Sequence, residues 1–426
     1  MPTIACKTLG CKVNQYDTEA MLELFEQSGY TAVPFEENAD VYIINTCTVT
    51  GTGDSKSVKL IHRVNREHPQ SHIIVAGCLT QRAPERVLLP GVVLALGVTQ
   101  RSEVVSLYKK AISENAAINA TQPLNDASFE HLTVSRHEGK TRATMKIQEG
   151  CDRYCSYCVI PYVRGPIRSM PLDDVKIEAQ RLAEAGYREI VLTGIHLASY
   201  GRNTDFTLLD AVYAVATTSG VKRVRLGSLE PKGITEEFAR RLSLIPGICP
   251  QFHLSLQSGS DTVLKRMNRR YTTGEYLDAC ANLRKFMPDC AITTDIIVGF
   301  PGETEAEFCE SMAFAEKAAL ARVHVFPYSR RSGTVADRMP GQISEEIKKQ
   351  RAARLIEKCS RLEENYVSSK PGTCQKVLFE TEIQPGLCEG YTDTYVRVRA
   401  KAIPGQIANV YITRAEGTLC EGEIVK

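Results

Sequence analysis

Short apolar runs alternate with amphipathic stretches over the first 110 residues of the chain. The apolar runs have the length of buried strands and lie at residues 3–6, 41–44, 73–76 and 92–95. Residues 17–25 have the spacing of a helix, and Gly29 is placed to end it. Strands that alternate with helices form parallel sheets covered on their faces. The pattern therefore predicts an α/β domain built on a parallel sheet.

A second alternation of strands and helices follows a polar, irregular segment at residues 113–140, which is typical of a linker. Its six apolar runs lie at residues 144–147, 189–192, 223–226, 252–256, 294–298 and 323–326. A closed barrel of this type needs about eight strands, so six predict an open, partial barrel. Catalytic groups in such folds lie at the carboxyl ends of the strands.

The C-terminal pattern changes to short alternating strands after a charged helical stretch at residues 341–369. Strands are predicted at residues 375–379, 395–399 and 408–412, which favours a small all-β barrel, a shape often used on RNA. We therefore expect domains at residues 1–112, 141–370 and 371–426, with the linker at residues 113–140 after the first.

Composition narrows the setting of the protein. The 426 residues are 43% apolar with a formal net charge of +2, which is ordinary for a globular chain. The N-terminus lacks the pattern of an export signal, and no apolar run approaches the ~18 residues of a membrane span. We expect a cytoplasmic enzyme without membrane contact. In that compartment, clusters among the 15 cysteines indicate metal or catalytic sites, because disulfides are rare there.

Cys151, Cys155 and Cys158 lie within eight residues of one another. Thiolates at this pitch can bind one [4Fe–4S] cluster from a single loop. Three ligands leave the fourth iron open to another molecule, as an open zinc site is left open for catalysis.

Cys11, Cys47 and Cys78 each follow one of the first three predicted strands. The carboxyl ends of parallel strands share one edge of a sheet, where ligands bind. These three thiolates can therefore converge on a second cluster. The alternative is that they are small buried hydrophobes, which is our interpretation of Cys6. The same packing role is expected of Cys249, Cys280, Cys290, Cys309, Cys359, Cys374, Cys388 and Cys420.

Small or polar residues stand at the predicted strand ends of the partial barrel, where a core would prefer large apolar ones. They are Gly194, Ser228 with Glu230, Ser255 with Gln257, Gly299 and Tyr328. Turn chemistry explains one or two such residues, whereas a full set favours a mouth lined for a ligand.

Arginines accumulate after several strand ends and beside the cysteine loop. They are Arg164 and Arg168, Arg266, Arg269 and Arg270, and Arg330 with Arg331. A basic rim beside an active site suits a phosphate-bearing macromolecule, and solvated surface charge is the alternative. On the C-terminal barrel, RNA contact would depend on Arg397, Arg399 and Lys401.

These motifs together resemble those of the radical S-adenosylmethionine methylthiotransferases, over essentially the whole chain. The resemblance lies in residues 8–14, 45–47, 77–78, the loop from Cys151 to Cys158, and residues 256–260 and 298–304. It implies a flavodoxin-like N-terminal domain, a partial (βα)6 barrel and a C-terminal TRAM-like barrel. It further implies two [4Fe–4S] clusters, an auxiliary one on Cys11, Cys47 and Cys78 and a radical one on the other trio.

The resemblance also implies the reaction. An aromatic C–H bond is not open to acid–base catalysis, so a cofactor must supply a radical. S-adenosylmethionine would be held by the open iron of the second trio. Its protein contacts would come from Tyr157, Gly194, Ser228, Glu230, Ser255, Gln257 and Gly299. A one-electron donor of the flavodoxin or ferredoxin kind and a sulfur source are implied as partners.

Three substrates are known for the family: isopentenyladenosine in tRNA, threonylcarbamoyladenosine in tRNA, and an aspartate of a ribosomal protein. Residues 10–17 and 46–50 look most like the threonylcarbamoyladenosine branch. We therefore expect methylthiolation at C2 of that nucleoside, at position 37 beside the anticodon, with the other two substrates as alternatives. A non-catalytic RNA-binding module with structural zinc would need a fourth ligand at zinc-finger spacing, which neither trio has.

Overall fold

The computed structural model of the chain describes residues 1–49, 51–135 and 140–425. Thr50, which belongs to the motif around Cys47, and residues 136–139 of the expected linker lie outside the described residues. Of the described helices, none is both long enough and apolar enough to cross a membrane.

The N-terminal part of the chain is a parallel sheet with strand order β2-β1-β3-β4-β5-β6. The strands are β1 (Thr3–Thr8), β2 (Thr31–Ala32), β3 (Val41–Thr46), β4 (His72–Gly77), β5 (Val92–Ala95) and β6 (Ile118–Asn119), and the helices are α1 (Lys12–Gln27), α2 (Gly51–Glu67), α3 (Cys78–Arg82) and α4 (Val104–Ser113). Ile43 packs with Phe25 of α1 on one face of the sheet, and Ile44 packs with Ile61 of α2 on the other. The predicted parallel sheet covered on both faces is confirmed.

Part of the expected linker belongs to this sheet. Ile118 pairs with Leu94, so that β6 is an edge strand rather than irregular chain. Beyond it, Leu132 accepts a hydrogen bond from the hydroxyl of Tyr16 in α1. Most of the described linker therefore lies along the N-terminal sheet and its helices.

The central part of the chain is an open half-barrel. Its strands are β7 (Arg142–Glu149), β8 (Arg168–Ser169), β9 (Glu189–Gly194), β10 (Arg223–Leu226), β11 (Gln251–His253), β12 (Ala291–Val298) and β13 (Arg322–Pro327). They form two sheets, β10-β9-β7-β8 and β11-β12-β13. Isolated parallel bridges from Val224 to Ile248 and from Leu229 to Leu254 join the sheets. All six predicted barrel strands are present, and β11 ends at His253 instead of Leu256.

Helices cover the outer face of the half-barrel. They are α6 (Leu172–Glu184), α7 (Leu208–Ala216), α8 (Glu236–Ser243), α9 (Asp261–Arg266), α10 (Thr273–Phe286), α11 (Glu305–Lys317) and α12 (Glu345–Ser368), whereas the short α5 (Ile160–Arg164) packs against α3 of the N-terminal sheet. Phe252 and Ile296 are buried beneath these helices. Since successive strand residues point to opposite faces, His253 and Asp295 face the inside of the half-barrel.

The C-terminal part of the chain is a closed five-stranded barrel, in the order β14-β15-β16-β18-β17. Its strands are β14 (Cys374–Gln384), β15 (Leu387–Thr392), β16 (Arg397–Lys401), β17 (Ile407–Glu416) and β18 (Leu419–Ile424). The sequence pattern predicted three of them and missed β15 and β18. Phe379, Val398 and Val410 fill the interior.

The C-terminal barrel is held against the half-barrel by buried arginines. Arg225 donates hydrogen bonds to the carbonyls of Thr392 (3.3 Å) and Asp393 (2.8 Å), and Arg223 donates to the carbonyl of Tyr391. Glu189 pairs with both guanidinium groups. This contact covers the amino-terminal end of β9 and β10, opposite the end that is expected to bind ligands.

The isolated cysteines mostly pack as expected. Cys6 packs partly buried against the N-terminal core, and six of the eight other isolated cysteines are buried. The prediction is wrong for Cys309 and Cys374, which are exposed. Cys309 lies on the solvent side of α11, and Cys374 is the first residue of β14.

Candidate active site

Cys11, Cys47 and Cys78 lie together at the carboxyl edge of the N-terminal sheet. Cys11 directly precedes α1, Cys47 follows β3, and Cys78 opens α3 directly after β4. Gly10 has φ +114°, and a Cβ there would lie 3.1 Å from Sγ of Cys47. Glycine is therefore needed at this position for the Cys11 loop to approach Cys47.

Asn14 joins the chain segments that carry this trio. Its amide donates to the carbonyls of Leu9 (2.8 Å) and Thr46 (2.9 Å), next to Cys11 and Cys47. Its Oδ1 lies 3.9 Å from Sγ of Cys78. One buried side chain thus fixes the relative positions of all three cysteine segments.

The second trio lies on the loop between β7 and α5. The amide of Cys158 donates to the carbonyl of Cys155 (2.9 Å), which curls the loop. Ser156 anchors the loop to the end of α9, since its amide donates to the carbonyl of Met267 (3.0 Å) and its hydroxyl to that of Arg266 (2.8 Å). The loop is therefore held by the half-barrel rather than by its own residues alone.

Each trio has one thiol in contact with an arginine, and the two arginines are different. Nη1 of Arg269 lies 3.1 Å from Sγ of Cys155, and Nε of Arg164 lies 3.2 Å from Sγ of Cys78. Arg164 is fully buried and ends α5, which begins just after Cys158. It therefore connects the segment of the second trio to a ligand of the first.

Burial sets the protonation of the free thiols. Desolvation raises the pKa of Cys78 and of Cys151 to about 11, and that of Cys158 to about 12. Arg164 opposes the shift at Cys78, and Arg269 opposes it at Cys158. A metal that binds here must displace these protons, so binding couples to proton release.

A buried charge cluster surrounds Arg164 at the contact between the N-terminal sheet and the half-barrel. Arg164 donates to Glu149 (3.0 Å), and Lys146 donates to Asp17 (2.6 Å). Burial alone would raise the pKa of Asp17, but Arg101 and Lys146 hold it well below its ordinary value. The carboxylates of this cluster stay charged and compensate the buried cations.

The predicted cofactor residues lie around the mouth, which we define as the carboxyl ends of β7 and β9 to β12. Gly194 ends β9, Ser228 and Glu230 follow β10, Ser255 and Gln257 follow β11, and Gly299 follows β12; Tyr157 lies in the cysteine loop and packs edge-on against Phe300. Their contacts with S-adenosylmethionine remain predictions.

Glu230 is the most strongly paired of these residues. Its carboxylate lies 2.5 Å from Nη2 of Arg153 and 3.2 Å from Nε2 of His196. Burial would raise its pKa, but His196, Arg153 and Arg269 together lower the pKa of Glu230 to about 2. The carboxylate is therefore ionised at the mouth throughout the physiological pH range.

The arginines expected at the basic rim divide into exposed and buried groups. Arg266, Arg270, Arg330, Arg397, Arg399 and Lys401 are exposed or half-exposed. Of these, Arg266 pairs with Glu307 (2.9 Å), Arg330 with Asp337 (2.7 Å) and Arg399 with Glu389 (3.0 Å). Arg164, Arg168, Arg269 and Arg331 have their side chains nearly or fully buried. Arg331 pairs with Asp54 (2.7 Å), and Arg269 contacts Cys155 and Tyr271. This corrects the rim expectation for the buried arginines, because their guanidinium groups are withdrawn from the surface.

Sequence reasoning missed the contacts of Arg164, Arg153 and Asn14. Each depends on a partner at least 32 residues away, such as Cys78 for Arg164 and Thr46 for Asn14. The sequence did show that Arg164 lies directly after the cysteine loop. That position indicated phosphate binding at the rim, and the structure places the side chain in the interior.

Comparison with protein families matches both halves of the site. Residues 3–96 match the uncharacterized protein family UPF0004, and residues 145–315 match the radical SAM superfamily. The first range contains Cys11, Cys47 and Cys78, and the second contains Cys151, Cys155 and Cys158.

Curated relatives resemble the chain along its whole length. The threonylcarbamoyladenosine tRNA methylthiotransferase MtaB of Bacillus subtilis is 41% identical, with 100% of this chain and 97% of the relative covered. The enzyme of the same name from Thermotoga maritima is 37% identical over 93% of this chain and 91% of the relative. A tRNA-2-methylthio-N(6)-dimethylallyladenosine synthase of Thermodesulfovibrio yellowstonii is 35% identical over 98% of both chains.

Among solved structures, the radical S-adenosylmethionine methyltransferase TsrM of Kitasatospora setae, with cobalamin and a [4Fe-4S] cluster bound, has a TM-score of 0.58. The match covers 76% of this chain and 75% of that chain at 14% identity. It therefore relates the two proteins by fold.

Proposed function

Because this chain belongs to the radical S-adenosylmethionine methylthiotransferase family, we propose that it adds a methylthio group to C2 of N6-threonylcarbamoyladenosine at position 37 of tRNA. Full-length identity of 41% to a relative named for this reaction supports the substrate. Relatives named for dimethylallyladenosine match at 31–35%, which makes that nucleoside the second candidate. Methylthiolation of a ribosomal-protein aspartate is the third alternative.

The observation that carries the proposal is the link between the two cysteine trios through Arg164. Cys11, Cys47 and Cys78 would hold the auxiliary cluster, and Cys151, Cys155 and Cys158 the radical cluster. The residues fit four-iron clusters, because each trio offers three thiols. In each trio one thiol also accepts a hydrogen bond from an arginine, Cys78 from Arg164 and Cys155 from Arg269. When bound, the clusters and S-adenosylmethionine supply the radical that removes the C2 hydrogen, and the sulfur and methyl group that replace it.

The chain's own residues would bind, orient and shield the reactants. The mouth residues Tyr157, Gly194, Ser228, Glu230, Ser255, Gln257 and Gly299 would contact S-adenosylmethionine. Gly299 has φ +71° directly after β12, and a Cβ there would lie 2.4 Å from Cγ of Lys348, so glycine is needed at this turn of the mouth. The N-terminal sheet, whose Cys78 contacts Arg164 behind the second trio, would shield the reactants from water on that side.

The exposed arginines would contact the anticodon stem-loop. Arg270 and Arg330 lie beside the mouth, and Arg397 and Arg399 lie on β16 of the C-terminal barrel. Their side chains are accessible to phosphates, which supply most of the affinity of proteins for RNA backbones. A one-electron donor, a sulfur source and a cytoplasmic location complete the proposal, since the tRNA substrate is found in that compartment.

The reaction is tested with purified enzyme whose clusters have been reconstituted without oxygen. Anticodon stem-loops that carry threonylcarbamoyladenosine or isopentenyladenosine are incubated with S-adenosylmethionine and a reductant, and the nucleosides are analysed by mass spectrometry. The proposal expects the methylthio product from the first RNA. Product from the isopentenyl RNA alone, or from a ribosomal protein alone, would contradict it.

A further inference from the structure

Three polar side chains on the inner face of the half-barrel have no part in the proposed cluster or S-adenosylmethionine sites. They are His253 of β11, Asp295 of β12 and His324 of β13, and their ring nitrogen and carboxylate atoms lie within 4.8 Å of one another. Asp295 is the register partner of His324, and His253 is the register partner of Thr293. Three adjacent strands thus present one polar group to the interior.

The group is oriented and accessible. Nδ1 of His253 lies 3.1 Å from Oγ1 of Thr293, which leaves its Nε2 facing Asp295 at 3.3 Å. The side chain of Asp295 is 33% exposed, and His324 is exposed. The carboxylate therefore keeps capacity to accept hydrogen bonds from a ligand.

A cation extends the group along β13. Arg322 lies two residues before His324 on the same face of the strand, with its side chain 46% exposed and its Nε 3.6 Å from Oε1 of Glu363. It lines a cavity of about 200 Å³ with Glu363, Thr293, Tyr366 and Tyr395. Although His324 reaches solvent, partial desolvation by its neighbours and the charge of Arg322 lower the pKa of its imidazole, which in its neutral form can both donate and accept.

The group lies below the mouth. Its Asp295 is on β12, the strand that Gly299 directly follows. Asp295 precedes Gly299 by four residues, a separation of about 13 Å along a strand. The substituent on N6 is shorter than this separation, so the base itself must enter the half-barrel, with C2 toward the mouth, for the substituent to reach the group.

We propose that His253, Asp295, His324 and Arg322 bind the threonylcarbamoyl substituent, an inference that rests on the proposed function. This substituent ends in a carboxylate, which suits Arg322, and its urea N–H and hydroxyl groups are donors for Asp295 and the imidazoles. An isopentenyl group has no polar atom, so it would leave these side chains desolvated and unpaired. A site built to bond polar groups rejects the analogue that lacks them.

The test measures binding of fluorescent anticodon stem-loops to the reconstituted enzyme without S-adenosylmethionine. One RNA carries threonylcarbamoyladenosine at position 37 and the other carries unmodified adenosine. The wild type should prefer the modified RNA by about tenfold or more, the effect of one charge-assisted hydrogen bond. His324→Leu and the nearly isosteric Asp295→Asn should each reduce this preference to about threefold or less, with the affinity for unmodified RNA unchanged.

His62→Leu, at an exposed position of α2, is the matched control and should keep the wild-type preference. The inference is overturned if both inner-face variants keep the preference with their iron content intact. It is also overturned if EDTA abolishes the wild-type preference without removing iron. In that case a metal ion held by His253, Asp295 and His324 would bind the substituent. Absence of methylthio product from the wild type would instead contradict the proposed function, whatever the binding ratios are.

Discussion

Nε of Arg164 lies 3.2 Å from Sγ of Cys78, although 86 residues separate them in the chain. Arg164 ends the short helix that follows Cys158, and Cys78 opens the helix that follows β4. The guanidinium group of Arg164, on the helix that follows the second trio, therefore contacts a thiol of the first trio. Changes at one trio can reach the other through it.

We predict that Arg164→Lys lowers the reduction potential of the auxiliary cluster. A cationic N–H donor to a ligand sulfur stabilises the reduced, more negative state. Loss of one such bond, worth about 1.5 kcal/mol, corresponds to about 60 mV for one electron. The measurement is a redox titration followed by electron paramagnetic resonance in the Cys151/Cys155/Cys158→Ala background.

Arg168→Lys is the matched control, because Arg168 is also buried nearby and its described hydrogen bond goes to the carbonyl of Pro166. In this control the auxiliary cluster should have the same reduction potential as in the Cys151/Cys155/Cys158→Ala protein without a further substitution. An unchanged potential in Arg164→Lys would show that the hydrogen bond to Cys78 does not affect the cluster.

Removal of either trio should remove half of the iron. Each trio is expected to hold one four-iron cluster, so reconstituted enzyme should contain about eight irons. The Cys151/Cys155/Cys158→Ala and Cys11/Cys47/Cys78→Ala variants should each keep about four. Iron and acid-labile sulfide analysis measures this, and a fall to zero in the first variant would mean that Cys11, Cys47 and Cys78 bind no cluster.

Glu230 should make stability depend on pH in the acid range. Its pKa is about 2 in the folded chain against an ordinary value of 4.5. A depressed pKa stabilises the fold above the ordinary value, and this contribution of up to about 3 kcal/mol is lost as pH falls from 4.5 toward 2. Urea unfolding of cluster-free protein should show a smaller loss over this window in Glu230→Gln, whereas Glu237→Gln at an exposed site should follow the wild type.

The exposed arginines should determine the salt dependence of tRNA binding. In the Arg270→Ala, Arg330→Ala double variant, we expect weaker binding. The slope of log affinity against log salt should fall by about one for each phosphate that the protein no longer neutralises. Arg240→Ala, at an exposed position of α8, is the control. Wild-type slope in the double variant would mean that neither side chain binds RNA.

Arg331→Ala should act on stability instead. Arg331 is 3% exposed and pairs with Asp54, which also pairs with Arg86 (3.2 Å), so its removal weakens the compensation of a buried carboxylate. Loss of a hydrogen bond to a charged group costs about 1.5–3 kcal/mol. Thermal unfolding should show this loss, while the salt slope of tRNA binding stays at its wild-type value. A reduced slope would place Arg331 on the RNA surface after all.

The sequence pattern located the cysteine trios because their positions follow from strand periodicity and loop spacing. It could not locate their partners, since Arg164 and Asn14 depend on contacts between distant segments. It missed β15 and β18 for a different reason. The inward positions of β15 are Cys388, Gly390 and Thr392, which are too small or polar to give an apolar alternation.

The contact of Arg223 and Arg225 with the C-terminal barrel restricts how such modules can be exchanged between relatives. The barrel begins at Cys374, yet the groups that receive it lie on β9 and β10, about 150 residues earlier in the chain. A chimera made at a boundary near residue 371 therefore needs matched residues at positions 189, 223 and 225. Without them, the carbonyls of Tyr391, Thr392 and Asp393 in the transplanted barrel would be buried without their hydrogen-bond donors.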